Sequence, residues 1–280
     1  MTKRLLVLAV LAALLAGCGG SSSPSAPVIQ PAKRYSLAGF QPRMPVKAGV
    51  PVTVSFAIEQ PNGRTLTNYR HGAGPHNGVH LIIVRRDLST IIHEHPPLQK
   101  NGRASVKVTF PAPGPYHVVV DAYPKASGLL ANFQLFGSIR VAGNYMPRAL
   151  PPFAATQNVD GYTFTLHGSP HLKAIQATDL TITVTDPQGR PAQFTPWFGA
   201  LAHAIFFRKG TLTYFHTHVC APGATGCTSI LGGAKVTGTS ATPGKLHVGV
   251  LVPVPGTWRL FLQCRVNGHV LTAPFTLEVS

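Results

Sequence analysis

Val79-His80-Leu81-Ile82-Ile83-Val84-Arg85-Arg86-Asp87-Leu88-Ser89-Thr90-Ile91-Ile92-His93-Glu94-His95-Pro96 is answered later in the chain by Ala202-His203-Ala204-Ile205-Phe206-Phe207-Arg208-Lys209-Gly210-Thr211-Leu212-Thr213-Tyr214-Phe215-His216-Thr217-His218-Val219-Cys220. Each copy reads His, twelve residues, His, one residue, His. In each, two apolar runs flank a polar, turn-forming tetrad, Arg86 to Ser89 or Arg208 to Thr211. That is the pattern of a β-hairpin.

Side chains alternate faces along a strand, so His93 and His95 share one side, as do His216 and His218. Cross-strand neighbours of an antiparallel pair also share a face. A turn centred on Asp87-Leu88 sets His80 opposite His95, and one centred on Arg86-Asp87 sets it opposite His93. Turns centred on Lys209-Gly210 or Gly210-Thr211 do the same for His203. With an even loop, three imidazoles converge near one end of each hairpin; an odd loop without a bulge puts the single histidine on the far face.

The repetition extends beyond the hairpins. Val52 to Ile58 alternates as a half-buried strand does and is matched by Leu180 to Thr185. The turn Pro61-Asn62-Gly63-Arg64 returns as Pro187-Gln188-Gly189-Arg190, and Pro111-Ala112-Pro113-Gly114 returns as Pro253-Val254-Pro255-Gly256. The first copy has extra residues before its hairpin, in a loop bearing His71 and His76. The second has a longer insertion after its hairpin, from about Gly223 to Thr242, bearing Cys227. About seven short strands per copy, 28 Gly and 26 Pro, and no helical period predict an all-β chain of two tandem immunoglobulin-like β-sandwiches.

With 44% hydrophobic residues the chain can bury proper cores. Its 24 Lys+Arg against 8 Asp+Glu give a formal charge of +16, spread along the sequence with no basic run. Nucleic acid is therefore not an expected partner. A basic surface suits anionic lipid or a cell-wall polymer.

Lys3 and Arg4 precede the apolar run Leu5 to Leu15 and the small residues Ala16-Gly17, a signal-peptide pattern too short to span a bilayer. Leu15-Ala16-Gly17-Cys18 resembles the lipobox of bacterial lipoproteins, and the Gly/Ser-rich segment after it resembles their tether. The resemblance implies cleavage before Cys18, lipidation of its thiol and anchoring on the outer face of the cell membrane. The expected organisation is a signal peptide over 1–17, a lipidated cysteine and tether over 18–33 and a first domain over 34–143. A linker over 144–152 and a second domain over 153–280 follow.

Three neutral imidazoles on neighbouring strands match the ligand sets of copper and zinc. The candidate ligands are His80, His93 and His95 in one hairpin, and His203, His216 and His218 in the other. Cys220 extends the second alternation and is a further candidate. In the first hairpin a fourth ligand would be His76, His71 or Glu94. Cys220 and Cys227 close a short loop and also form the expected disulfide of an exported chain. The competing reading is that the rings sit at a sandwich rim, bonded to backbone and copied by duplication. His117 and Asp121, with Arg259 and Gln263 in the second copy, are expected on a solvated face.

No Gly-x-Ser-x-Gly, paired carboxylates or phosphate-cradling loop appears, so no enzyme is expected. The hairpin, with its small-His-apolar opening and His-x-His ending, resembles a loose group of bacterial secreted and membrane-anchored immunoglobulin-like domains that includes YtkA-like domains. That resemblance implies an extracytoplasmic binding or accessory module near metal-transport systems. The expected function is binding of copper or zinc. The alternative is a non-catalytic interaction module for a protein or cell-envelope polymer.

Overall fold

The computed structural model describes residues 34–71, 74–125, 132–168, 171–224, 227, 229–231, 234–236 and 238–280. The signal peptide and Cys18 lie outside the described residues. Residues 34–280 make one compact unit, in which every described regular element is a strand.

The first half holds β1 (Ser36–Gln41), β2 (Val46–Lys47), β3 (Pro51–Glu59), β4 (Val79–Arg85), β5 (Ile91–Glu94), β6 (Ala104–Thr109), β7 (Gly114–Ala122) and β8 (Phe133–Ala142). They form two sheets, β1-β3-β6 and β2-β8-β7-β4-β5. Between them lies a core that includes Phe56, Leu81, Phe110, Tyr116 and Val118. The order is that of an immunoglobulin-like sandwich.

The second half begins with β9 (Thr156–Val159), β10 (Tyr162–His167), β11 (His171–Leu172), β12 (Thr178–Thr185), β13 (Phe194–Thr195), β14 (Ala202–Arg208) and β15 (Tyr214–Cys220). It ends with β16 (Ser229–Leu231), β17 (Ala234–Val236), β18 (Gly238–Thr239), β19 (Lys245–Val250), β20 (Gly256–Val266) and β21 (His269–Val279). Here β11-β21-β20-β14-β15 repeats the larger sheet of the first half and β9-β10-β12-β19 the smaller. Short β18 joins them, pairing parallel with β15 and antiparallel with β19. The two layers enclose Phe164, Phe206, Trp258 and Phe275.

Matching details confirm that one plan is used twice. Tyr116 Oη donates to Ala112 O at 2.9 Å, and Trp258 Nε1 donates to Val254 O at 3.1 Å, each closing the corner before its strand. Arg85 Nε donates to Pro113 O at 2.9 Å, and Arg208 Nε to Pro255 O at 2.6 Å.

Both hairpins close with four-residue loops. Arg85 N donates to Thr90 O at 3.0 Å, and Arg208 N to Thr213 O at 2.9 Å. The first turn is thus centred on Asp87-Leu88 and the second on Gly210-Thr211. Ile82 then pairs with His93, which continues to His80 opposite His95; His203 pairs with His218 and Ile205 with His216.

Strand β4 is buried along its whole length and β14 along nearly all of it, so both are covered on two faces. Leu81 and Ile83 face the first core, and Ala204 and Phe206 the second. The opposite faces meet each other. Ile82, Val84 and Val119 pack on Ile205, Phe207 and Phe261 in a third apolar layer between the sandwiches. Leu88 and Leu212 adopt φ of 60° and 58° and join this layer, backbone positions that non-glycine residues occupy at a cost of about 1 kcal/mol or more. The Asn144 to Pro152 segment is tied down on both sides. Arg148 N donates to Asp87 Oδ2 at 2.9 Å, and Thr276 Oγ1 donates to Pro151 O at 2.7 Å.

Candidate metal centre

Period-two alternation continues the inter-sandwich layer into polar residues. Along β4 the same face carries Val84, Ile82 and His80, and along β14 Phe207, Ile205 and His203. Pairing adds His93 and His95 beside the first row and His216 and His218 beside the second. Two separate triads were expected, one per hairpin. The sandwiches instead bring both hairpin faces together, and six imidazoles form one cluster between them. Ring centroids of His93 and His203 are 4.8 Å apart, of His80 and His216 5.1 Å, and of His80 and His218 5.7 Å.

Hydrogen bonds fix three of the rings. A carbonyl oxygen only accepts, so His80 carries its proton on Nε2, donating to Pro75 O at 2.7 Å. His203 likewise donates Nε2–H to Trp197 O at 2.9 Å. Both Nδ1 lone pairs are left facing the cluster. His93 Nδ1 lies 3.0 Å from Gln263 Oε1, while Gln263 Nε2 donates to Thr272 Oγ1 at 3.1 Å. Gln263 is therefore held as the acceptor, and His93 turns Nε2 inward.

His216 sits between the others. Its Nδ1 is 3.3 Å from His80 Nδ1, and its Nε2 is 3.3 Å from His203 Nδ1. Among the described residues, four buried ring nitrogens have no partner: His93 Nε2, His95 Nε2 and both nitrogens of His218. Leaving such a group unmade costs about 1–3 kcal/mol.

Burial pushes every ring toward the neutral form. It lowers His95 to about 3 and His203 to about 4. Burial first, then the neighbouring rings, holds His80, His93, His216 and His218 well below the ordinary histidine value. Asp121 is the nearby buried acid. Burial raises it to about 6 against hydrogen bonds donated by Asn132, Gln134, Tyr123 and, from the other sandwich, Tyr214.

Aromatic walls close the cluster. Phe198 stacks on His95 with centroids 3.9 Å apart, and Trp197 meets His93 and His203 edge-on at 5.2 Å each. They come from a tight turn in which Trp197 and Ala200 exchange backbone hydrogen bonds and Phe198 and Gly199 have positive φ. A Cβ on Gly199 would lie 2.5 Å from Gly74 C. Only glycine lets this turn rest on the Gly74-Pro75 backbone that supplies the acceptor for His80.

The remaining candidates fall as follows. Cys220 is bonded to Cys227, so its sulfur is not a free thiolate and it is no ligand in this state. His76 packs its ring against His218 and Tyr123 rather than beside the first hairpin alone, and His71 is exposed. Asp121, Gln263 and Arg259, expected on a solvated face, are 2%, 4% and 8% exposed because that face is the inter-sandwich surface. Cys264, on the opposite side of its strand from Gln263, is buried in the second core.

The donor set is one that a cation can use. His80, His93 and His216 bring ligand nitrogens within 4.8 Å of one another, and so do His203, His216 and His218. These histidine groups can hold a metal ion. The two 3.3 Å separations at His216 match the spacing of about 3.3 Å between ligands at 2.0–2.1 Å on a tetrahedral ion.

Residues 157–280 match a family described as Domain of unknown function (DUF8832). No curated protein matches the chain. Among solved structures it is similar to invasin, a bacterial integrin-binding protein, at 16% identity and TM-score 0.24, over 88% of this chain and 38% of that one. It is also similar to three N-terminal domains of the bacteriophage RB49 Hoc capsid protein, at 13% identity and TM-score 0.23, over 88% and 70%. Native alpha-2-macroglobulin of E. coli gives 13% and 0.27, over 88% and 16%. Likeness of that degree says nothing about what this chain does.

Proposed function

We propose that this chain is an exported, lipid-anchored binding protein for a transition metal, copper or zinc, held between its two sandwiches. The observation that carries the reading is the position of His216. His80 and His203 both present Nδ1 as an acceptor, so His216 needs a proton on each nitrogen to satisfy both. Burial and four neighbouring imidazoles oppose that charged ring. In the neutral form one 3.3 Å contact is lone pair against lone pair. A cation between the nitrogens removes the conflict, and neutral imidazole is the form that binds it.

The surrounding bonds suit the same role. Metal-ligating histidines usually donate their second N–H to a carbonyl or similar acceptor, as Pro75 O, Trp197 O and Gln263 Oε1 accept here. Export is supported by the leader-like residues 1–17 and by the Cys220–Cys227 bond, which belongs to an oxidising compartment. Cys18 would carry the lipid and make the membrane the first partner. A metal transporter or a cell-wall polymer would be the second, as the YtkA-like resemblance implies, with the chain binding rather than catalysing.

Calorimetric titration of the metal-stripped full chain with Cu²⁺ and Zn²⁺, beside a His93→Ala/His216→Ala double variant, tests the reading. The variant should lose affinity at least 100-fold. Equal, weak binding by both proteins would end it.

A further inference from the structure

We infer that the cluster is built for two ions, with the single ring of His216 shared between them. This rests on the metal reading above and goes beyond it in stoichiometry and in the role of one residue.

His216 turns its two nitrogens in different directions. Nδ1 faces His80, in the group with His93; Nε2 faces His203, in the group with His218. One ion leaves part of the cluster unsatisfied wherever it binds. At His80, His93 and His216 Nδ1 it would let His216 Nε2–H donate to His203, yet both nitrogens of His218 would stay buried and unpartnered. At His203, His216 Nε2 and His218 it would let His216 Nδ1–H donate to His80, yet His93 Nε2, already aimed inward by Gln263, would stay unpartnered. Two ions engage His80, His93, His203, His216 and His218 together, and of the four unpartnered nitrogens they leave His95 Nε2 and one nitrogen of His218.

The second ion displaces the remaining N–H proton of His216, which is released to solvent. The bridging ring then carries one negative charge between the two cations. The N-to-N span of an imidazole and two bonds of 2.0–2.1 Å set the ions about 6 Å apart. Each ion would have three imidazole ligands and one open position for water or an incoming donor, the arrangement that lets a site exchange what it holds. The first position takes two ligands from the first sandwich and one from the second. The other is built entirely from the second sandwich, so the two need not be equal in affinity.

Cu²⁺ titration of the metal-stripped full chain, followed by bound-metal analysis and low-temperature electron paramagnetic resonance, tests the inference. Two Cu²⁺ per chain are expected. Integrated spin should rise through the first equivalent and fall below half of the bound copper as the second couples to it through the ring. His218→Ala should bind one Cu²⁺ with full spin, and His93→Ala should do so at the other position, so one folded variant suffices. One Cu²⁺ per wild-type chain with full spin overturns the shared ring but leaves the metal reading standing. Two Cu²⁺ with two independent spins also overturn it. No bound copper overturns the shared ring, and no binding of copper or zinc in the calorimetric titration above removes the metal reading as well.

Discussion

Lowering the pH of the metal-free protein should unfold it over a narrow range, because six imidazoles, four of them buried and His95 and His216 half-buried, are held neutral in one place. Unfolded histidines titrate near 6.5. Below that value the unfolded chain takes up protons that the folded chain refuses, so stability present above pH 6.5 is lost as the pH falls toward the folded values. Those are about 3 for His95 and about 4 for His203, with His80, His93, His216 and His218 held down by the same burial. Between pH 7 and 5.5 each neutral ring forfeits about 1.2 kcal/mol, roughly 7 kcal/mol for six. Asp121 works the other way. Its carboxyl is raised to about 6 in the fold, so it gains stability as the pH drops through 6, returning about 1 kcal/mol. The net loss of roughly 6 kcal/mol is comparable to the whole stability of a typical domain. Urea unfolding of the metal-stripped full chain, read by tryptophan fluorescence at several pH values, measures it; Trp197 lies against His93 and His203 and reports on the cluster. The slope of stability against pH should reach about four to five protons near pH 5.5. A slope below two protons would refute the reasoning, since the rings would then be solvated or protonated in the fold.

A bound ion should reverse much of this: at a free concentration about 1,000 times its Kd it adds about 4 kcal/mol, read as a higher urea midpoint at pH 7 that fades toward pH 5.5. Gly199→Ala should cost about 2 kcal/mol in urea and weaken metal binding, because its Cβ meets the Gly74 backbone; Gly189→Ala, also at positive φ but with nothing within 4 Å, should cost about 1 kcal/mol and leave binding intact. Gln263→Leu should weaken the ion 10–100-fold by releasing His93 from its orientation, with the fold retained by circular dichroism. Cys220→Ser/Cys227→Ser should lose about 2 kcal/mol and keep its metal stoichiometry; a lost ion would return Cys220 to the ligand set.

The hairpins could be read from the sequence because alternation and turn chemistry are local, whereas the choice between an even and an odd loop could not, and the structure decides it with four-residue loops. The polar tetrads marked where the chain reverses, and the matching Pro-x-Gly-Arg and Pro-x-Pro-Gly turns marked one plan used twice. What the pattern did not reveal is that the two copies face each other. A signal was present: Leu81 to Val84 and Ala204 to Phe207 are apolar without interruption, which is how strands covered on both sides read. Short apolar runs are ambiguous, and nothing in one strand says what lies over its second face. For the same reason Asp121 and Gln263 looked like solvent-facing residues. Trp197 and Phe198 gave no sign, since they reach the histidines through a turn whose partner is distant in sequence. Cys220 had two readings, and spacing alone did not choose between a ligand and a bond to Cys227.

The tied segment from Asn144 to Pro152 gives the centre an unusual economy. In a dimer of separate subunits such a pocket would come apart on dilution, and its occupancy would depend on how many copies were present. Here the halves are leashed within one polypeptide, so they meet at an effective concentration set by a few residues of chain rather than by abundance. A solitary molecule therefore has everything needed to complete the pocket.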